Sequence, residues 1–178
     1  MRRHPVLSTA VLSALLALPA ALSGTAAQAR ELPAAQARAG VAYTLTNLAA
    51  GRCLATAGTP AAGAWTVVRP CTPVGPGMKW SLTTAPQAPA DSYFISEPDS
   101  GTCLTTPGTQ AGARPTLQTC DSTNAFQMWT ATVVADDTAQ FKNLRSGLNL
   151  AFTDPRGPVT QEQPGTGPSQ QWRLTGPL

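Results

Sequence analysis

The sequence predicts an all-β fold in which three similar units close around a pseudo-threefold axis, and three observations support this prediction. The chain is poor in charge, with 12% Asp, Glu, Lys and Arg, and rich in Thr, Ser, Gly, Pro and Gln, which is typical of extracellular all-β proteins with many turns. Three 12-residue segments align without a gap. Each segment leads on to one tryptophan, and these tryptophans, spaced 49 and 43 residues apart, are Trp80, Trp129 and Trp172.

The first 29 residues have the order of a secretory signal peptide. They begin with the basic "MRR", continue with the apolar run "VLSTAVLSALLALPAAL" and end with the small-residue sequence "AQA". A membrane anchor is the alternative, but the run is barely long enough to span a bilayer and Pro19 interrupts its end. A second "AQA" leaves it open whether cleavage follows Ala29 or Ala37. We therefore expect a secreted, extracellular protein with a flexible N-terminal segment at residues 30–41.

Charge and histidine content limit the function. Without Arg2 and Arg3 of the signal peptide, ten basic residues face nine acidic ones, a net charge of +1. The basic residues are scattered, so we expect neither nucleic acid nor an anionic membrane as a partner, and we expect no membrane span after removal of the signal peptide. The single histidine, His4, also lies in the signal peptide. Because Ser-His and Cys-His mechanisms and His-containing zinc sites need an imidazole, we expect no enzyme, metal or cofactor.

The aligned segments each describe a β-hairpin, with alternating apolar residues on both sides of a glycine-containing turn. The segments are Tyr43–Leu54, Tyr93–Leu104 and Ala139–Leu150, and their ninth residues, expected at positive φ, are Gly51, Gly101 and Gly147. With a further strand before each tryptophan, we predict four strands per repeat, in repeats of about residues 42–89, 90–137 and 138–178. Propellers need four or more blades, and no 3.6-residue apolar period indicates a helical repeat.

These motifs resemble those of a known family. Gly-x-Cys-Leu, a second cysteine 17 or 18 residues on, and a Gln-x-Trp whose tryptophan lies nine residues further are similar to the ricin B-type lectin repeat, a β-trefoil. The resemblance covers about residues 42–178, nearly the whole chain after the signal peptide. It implies a ricin-type β-trefoil that binds polysaccharide or glycan outside the cell without catalysis.

Four cysteines allow three pairings. Because each pair occupies the same two places in its own repeat, we predict the disulfides Cys53–Cys71 and Cys103–Cys120, which persist in the oxidising secretory route. The third repeat has Asn149 and Gln163 at the aligned positions. A hydrogen bond between these side chains contributes about 1 kcal/mol, whereas each disulfide contributes roughly 3 kcal/mol. The third repeat is therefore predicted to be the least stable.

The three repeat tryptophans are predicted to lie in the core, because identical placement in three copies favours packing over sugar stacking. The leucines that end the aligned segments are predicted to lie there too. The predicted core residues are Trp80, Trp129, Trp172, Leu54, Leu104 and Leu150. The glutamines of Gln-x-Trp, Gln127 and Gln170, have two interpretations, since an amide bonds to the backbone as well as to a ligand.

The resemblance also implies a shallow galactose-type pocket in each repeat. An Asp after Cys-Leu accepts two sugar hydroxyls, an aromatic residue two before the second cysteine stacks on the sugar ring, and an Asn precedes the Gln of Gln-x-Trp. The Asp position holds Ala55, Thr105 and Ala151, the aromatic position Arg69, Gln118 and Gln161, and the Asn position Gly77, Phe126 and Ser169. Only Gln127 and Gln170 match the ligand set, so galactose is expected to bind weakly or not at all.

Trp65 is the first candidate for a different sugar site. It is the one tryptophan outside the repeat, and the other copies have Arg114 and Gly157 in its place. A tryptophan in such a turn either stacks on sugar or covers the edge of its hairpin.

Four polar or aromatic residues in two loops are further candidates. Phe152 and Asp154 place a ring and a carboxylate close together, although a turn with Asp before Pro is the simpler interpretation. Asp121 and Asn124 follow a cysteine in a loop and are available for polar contacts.

Two functions remain open from the sequence. The first is secreted, non-catalytic carbohydrate binding, with the usual pockets degraded in all three repeats. The alternative is a sugar-inactive trefoil that acts as a protein-interaction module or protease inhibitor, in which exposed loops bind another protein and loss of the sugar ligands is expected.

Overall fold

The computed structural model describes residues 41–155 and 157–178, so the predicted signal peptide and most of the segment after it lie outside the described residues. Within that range no helix is long and apolar enough to cross a membrane. The described strands are β1 (Ala42–Asn47), β2 (Arg52–Thr56), β3 (Thr66–Arg69), β4 (Trp80–Thr84), β5 (Ser92–Glu97), β6 (Thr102–Thr105), β7 (Thr116–Thr119), β8 (Met128–Ala135), β9 (Thr138–Asn143), β10 (Asn149–Ala151), β11 (Thr160–Glu162) and β12 (Trp172–Thr175). Two short 3-10 turns, Ala125–Gln127 and Pro168–Gln170, precede β8 and β12.

Six strands form a closed antiparallel barrel. The strands β1, β4, β5, β8, β9 and β12 pair in that order, and β12 returns to pair with β1. The closing pair places Thr44 opposite Thr175 and Asn47 opposite Trp172. Closure leaves the barrel without an unpaired edge, so its backbone hydrogen bonds stabilise one another around the ring.

The other six strands form three hairpins that cap the barrel, β2 with β3, β6 with β7, and β10 with β11. Backbone N–H to carbonyl hydrogen bonds connect the hairpins in a ring: Gly63 to Leu117 (2.7 Å), Gly112 to Gln161 (2.8 Å) and Val159 to Thr66 (3.2 Å). Each hairpin contacts both others, so the cap is triangular and surrounds the pseudo-threefold axis. The predicted all-β trefoil with four strands per repeat is confirmed.

The barrel encloses one tryptophan from each repeat. These side chains are 0% exposed, and each indole N–H donates to the carbonyl of the leucine that ends the aligned segment of its own repeat. The pairs are Trp80 with Leu54 (3.0 Å), Trp129 with Leu104 (3.0 Å) and Trp172 with Leu150 (2.9 Å). The bond satisfies the single polar atom of a ring that is otherwise packed among apolar side chains. All six residues predicted for the core are buried.

The glycine of each aligned hairpin adopts the predicted positive φ, which L side chains rarely adopt. The φ values are +61° at Gly51, +65° at Gly101 and +70° at Gly147. Each glycine N–H donates to the carbonyl of the last residue of the preceding strand, at 2.8–2.9 Å. The three turns are therefore alike in conformation and in hydrogen bonding.

Both predicted disulfides, Cys53–Cys71 and Cys103–Cys120, are present. The aligned position in the third repeat, Asn149, donates from Nδ2 to Oε1 of Gln170 at 2.8 Å, rather than to the side chain of Gln163. The glutamine of Gln-x-Trp therefore connects the strands of this repeat at the place where the others have a covalent bond.

The register of the third hairpin corrects the sequence alignment by one residue. Leu150 pairs with Gln161 and Asn149 with Glu162, whereas the corresponding cysteines of the first two repeats pair with Arg69 and Gln118. Glu162, not Gln161, is thus the equivalent of Arg69 and Gln118. By the same count Pro164, not Gln163, occupies the place of the second cysteine.

Candidate functional site

The three positions at which the resemblance predicts an Asp face the interior and hold no carboxylate. Ala55 and Ala151 are fully buried, and Thr105 is 8% exposed. The hydroxyl of Thr105 donates to the carbonyl of Cys103 at 3.0 Å. A sugar placed here meets no carboxylate that accepts its hydroxyls.

The three stacking positions also lack their ring. Arg69 and Gln118 are exposed, and Glu162 is half-buried. The Gln118 amide donates to the Thr116 hydroxyl on its own strand at 3.1 Å. None of these side chains offers the π-face that stacks on a sugar ring.

The two glutamines that match the ligand set are both engaged with the protein. Gln127, 1% exposed, donates from Nε2 to the Thr119 carbonyl at 2.9 Å and accepts from the Asp121 N–H at 2.7 Å. Gln170 donates to the Gln163 carbonyl and accepts from the Gly165 N–H, both at 2.8 Å. Of the two interpretations that the sequence left open, the structure shows the backbone-bonding one.

Asp121 and Asn124 shape the loop that follows β7. The Oδ1 atom of Asp121 accepts hydrogen bonds from the N–H of Thr123 at 2.8 Å and from its hydroxyl at 2.7 Å. The backbone bond first, and the hydroxyl bond second, stabilise the ionised form and lower the pKa of Asp121. Asn124 caps the 3-10 turn by accepting from the Phe126 N–H at 3.0 Å.

Phe152 lies in the core rather than on the surface, which corrects its prediction as part of a sugar site with Asp154. It is 6% exposed and belongs to the main hydrophobic cluster. It borders a cavity of about 400 Å³ between the first and third repeats, together with Arg52, Thr153 and Ser169. Asp154 is exposed and lines a different depression, so this ring and this carboxylate face separate places.

Trp65 and Asp154 lie together in a depression of about 420 Å³ at the centre of the cap, which we call the axial depression. The described residues that line it are Trp65, Val67, Arg114, Asp154, Gly157 and Pro158. By strand register Trp65, Arg114 and Pro158 are equivalent residues of the three repeats, and Pro158 replaces Gly157 in that alignment. The depression therefore lies on the pseudo-threefold axis.

The backbone holds Trp65 firmly while its side chain remains 48% exposed. Trp65 forms an isolated β-bridge with Thr116 of the second hairpin, and its carbonyl accepts from the Ala57 N–H at 2.9 Å. The guanidinium carbon of Arg114 lies 5.4 Å from the centroid of the indole ring, a cation–π distance. The first two hairpins thus present a ring and a cation in contact.

Asp154 comes from the loop of the third hairpin, and Gly157 allows the loop to fold tightly behind it. The Gly157 N–H donates to the Asp154 carbonyl at 2.9 Å. A Cβ atom at Gly157 would approach Asp154 Cβ to 2.9 Å, so a larger residue would displace the carboxylate. Asp154 is therefore positioned by a close backbone approach.

The axial depression combines a π-face, a guanidinium and a carboxylate, one from each repeat. Among the described residues of its lining, Asp154 supplies one carboxylate. Within the described part of the chain, no group of three or more His, Cys, Asp or Glu is placed to hold a metal. The arrangement suits binding of a polar ring that has one apolar face.

The sequence predicts no role for Arg114 in a site. The repeat alignment already placed it at the position of Trp65, but equivalent positions in three repeats need not be neighbours. They converge here because the three hairpins meet at the axis, and that convergence is a property of the closed fold rather than of any one segment.

Comparison with known protein families matches residues 41–172 to the ricin-type beta-trefoil lectin domain. No curated protein sequence matches the chain significantly. Among solved structures, the designed threefold-symmetric protein ThreeFoil has a TM-score of 0.67 and 20% identity, over 76% of this chain and 98% of that chain.

Two natural proteins of known structure are also similar. A Polyporus squamosus lectin, solved with the epitope Neu5Acα2-6Galβ1-4GlcNAc, has a TM-score of 0.62 and 18% identity, over 75% of this chain and 48% of that one. An exo-β-1,3-galactanase from Clostridium thermocellum has a TM-score of 0.64 and 18% identity, over 76% and 30%. At these identities the similarity is one of fold.

Proposed function

The chain belongs to the family of ricin-type β-trefoil lectin domains, and from this premise we propose that it is a secreted, non-catalytic carbohydrate-binding protein. Secretion is supported by the signal-peptide order of the first 29 residues. A non-catalytic role is supported by the absence of histidine after His4 and by the single carboxylate of the axial depression. The ligand class is polysaccharide or glycan outside the cell.

One observation carries the proposal: Trp65 is half-exposed in the same depression as Asp154. An indole face packs against the C–H face of a pyranose ring, and a carboxylate accepts hydrogen bonds from two sugar hydroxyls. The three family pockets lack both groups at their Asp and stacking positions. We therefore assign sugar binding to the axial depression and not to the three family pockets.

The affinity for a single sugar residue is expected to be low. A shallow site with one ring and two polar groups corresponds to a Kd on the order of 1 mM. A polysaccharide offers many copies of the ligand, and rebinding along the polymer raises the apparent affinity.

The test is binding of the mature protein to a glycan array and to insoluble polysaccharides. The variants Trp65→Ala and Asp154→Ala are expected to lose binding. Val134→Ala, which trims another exposed apolar side chain (44% exposed), and Asp99→Ala, which removes an exposed carboxylate beside Lys79, are matched controls that keep it. Circular dichroism verifies that every variant is folded. Binding that survives both site substitutions contradicts the assignment.

A protein-interaction role, including protease inhibition, is the second candidate. It is favoured by the loss of the ring and carboxylate in all three family pockets, and by the exposure of a Trp and an Arg side by side, residue types that dominate protein–protein hot spots. A folded protein that binds no sugar on the array, but inhibits a panel protease in a Trp65-dependent manner, supports this role over the first.

A further inference from the structure

We infer that the axial depression binds one acidic sugar residue, a uronic acid, and that Arg114 determines this specificity. The inference rests on the proposed carbohydrate-binding function and names its ligand class. Two observations support it: the side chains of Trp65, Arg114 and Asp154 meet at the axis, and Arg114 lies against the Trp65 ring.

The three groups match three parts of a uronic acid. Trp65 offers an aromatic face for the C–H face of the pyranose ring. Asp154 accepts hydrogen bonds from a pair of ring hydroxyls. Arg114 supplies a planar guanidinium whose paired N–H donors fit a carboxylate in two parallel hydrogen bonds.

The position of Arg114 favours an anionic partner over a neutral one. The guanidinium carbon lies 5.4 Å from the centroid of the Trp65 ring. A cation above a ring face keeps its in-plane N–H donors for other acceptors. Charge-assisted bonds to a carboxylate are about twice as strong as bonds to a neutral hydroxyl, so a neutral hexose of the same shape uses this residue less well.

The pseudo-threefold symmetry is broken at this site, which fixes the stoichiometry. The positions equivalent to Trp65 are occupied by Arg114 and Pro158. One ring therefore stands on the axis, and one ligand residue binds per protein molecule. A trefoil that used all three family pockets would bind up to three ligand residues.

The experiment titrates the mature protein with oligosaccharides of galacturonic, glucuronic and mannuronic acid, and with the methyl esters of the same oligosaccharides. The esters keep the ring and hydroxyls but lose the charge. Calorimetry or NMR shift mapping is expected to show one site per molecule, with at least one of the acids bound about tenfold more tightly than its ester. High salt is expected to reduce this difference.

Three variants test which residue causes the preference for the acid over its ester. Arg114→Gln is expected to bind acid and ester alike, at the affinity of the ester. Arg69→Gln, which removes an exposed arginine that does not line the axial depression, is expected to keep the wild-type preference. Trp65→Ala is expected to weaken binding of both acid and ester.

The outcomes separate this inference from the proposed function. Equal binding of acid and ester by the wild-type protein overturns the uronic acid specificity and leaves carbohydrate binding standing. An acid preference that persists in Arg114→Gln overturns the role of Arg114. Failure of the folded protein to bind any sugar on the array overturns both proposals, and a stoichiometry of two or three overturns the single axial site.

Discussion

Gly77 shows why the Asn of the family pocket does not fit in the first repeat. It stands where the family keeps its Asn, at φ +70°, and a Cβ atom there would lie 2.0 Å from Oγ1 of the buried Thr56. Any side chain at this position meets both an unfavourable backbone conformation and a clash. Restoring the Asn therefore does not restore a sugar site in this repeat.

The corresponding prediction is that Gly77→Ala lowers the free energy of unfolding by at least about 2 kcal/mol, the sum of the backbone and packing costs. Urea denaturation measures it. Gly75→Ala is the control, because the nearest heavy atom to its new Cβ is Met78 Sδ at 4.0 Å, and it is expected to change stability little. Equal stability of the two variants contradicts the packing argument.

Glu97 is a buried residue whose replacement is expected to stabilise the protein. Its Oε2 accepts from the Ser100 N–H at 2.7 Å, but Oε1 is buried without a hydrogen-bond partner among the described residues. The aligned Asn47 and Asn143 instead donate from Nδ2 to backbone carbonyls, at 2.8 and 2.9 Å. The second repeat thus has an acceptor at a place where the others have a donor.

Glu97→Gln is therefore expected to raise the free energy of unfolding at neutral pH by about 1–3 kcal/mol, the cost of an unsatisfied buried polar group. Thermal and urea denaturation measure the change. Glu162→Gln is the control, since that carboxylate is half-buried and accepts from the Thr160 hydroxyl, and no gain is expected there. A loss of stability in Glu97→Gln shows that the carboxylate has a favourable partner.

Asp121, in the loop after β7, is expected to make the stability of the protein depend on pH in the acid range. Its pKa is lowered from 3.8 by the hydrogen bonds from Thr123, so its contribution to stability is present above pH 3.8 and is lost as the pH falls through the lower folded-state pKa. An NMR titration of the Asp121 carboxylate is expected to have its midpoint below 3.8. Thr123→Ala, which removes the hydroxyl bond and keeps the backbone one, is expected to raise the midpoint. An unshifted midpoint contradicts the hydrogen-bond explanation.

At the scale of elements, the hairpin β10–β11 differs from the other two because no disulfide holds it. Each disulfide stabilises by roughly 3 kcal/mol in the chain-entropy model. The third hairpin has instead the hydrogen bond of Asn149 to Gln170, worth about 1 kcal/mol. The two bonds of Gln170 to the backbone do not add to this difference, because Gln127 makes the same two bonds in the second repeat. The third repeat thus remains the one predicted to be least stable.

Native-state hydrogen exchange is expected to show the amides of β10 and β11 opening before those of β2, β3, β6 and β7, while the barrel stays closed. Gln170→Ala is expected to speed exchange in β10 and β11 further. Gln171→Ala is the matched control, since its amide donates to the Thr166 carbonyl in a solvent-exposed bond, and exchange there is expected to stay unchanged. Uniform protection of all three hairpins contradicts this ranking.

At the scale of the whole molecule, the repeat explains which features were predictable from the sequence. The aligned copies identified the tryptophans, the turn glycines and both disulfides, because residues that recur at the same position of several copies have the same structural role. The alignment failed in the third hairpin, where no cysteine marks the register and Glu162 was missed as the equivalent of Arg69. The burial of Phe152 and the meeting of Arg114 with Trp65 depend on contacts between repeats, which no local pattern encodes.

The three repeats of the closed barrel are expected to unfold cooperatively. Trp80, Trp129 and Trp172 occupy equivalent places, and each donates one N–H bond to a leucine carbonyl. Trp→Phe at any of them removes packed volume and leaves that carbonyl without its donor, so each variant is expected to lose at least about 2 kcal/mol. Because each of the six strands pairs with two neighbours, all three variants are expected to unfold in a single transition.

Urea denaturation followed by circular dichroism and by fluorescence of the remaining tryptophans measures both quantities. Trp65→Phe is the control: it makes the same change on the cap surface, where Trp65 is 48% exposed, and is expected to cost less than about 0.5 kcal/mol. If the two probes report different midpoints for one core variant, its repeat unfolds separately. In that case pseudo-symmetry describes the geometry of the barrel but not its energetics, and the axial depression joins three units that differ in stability.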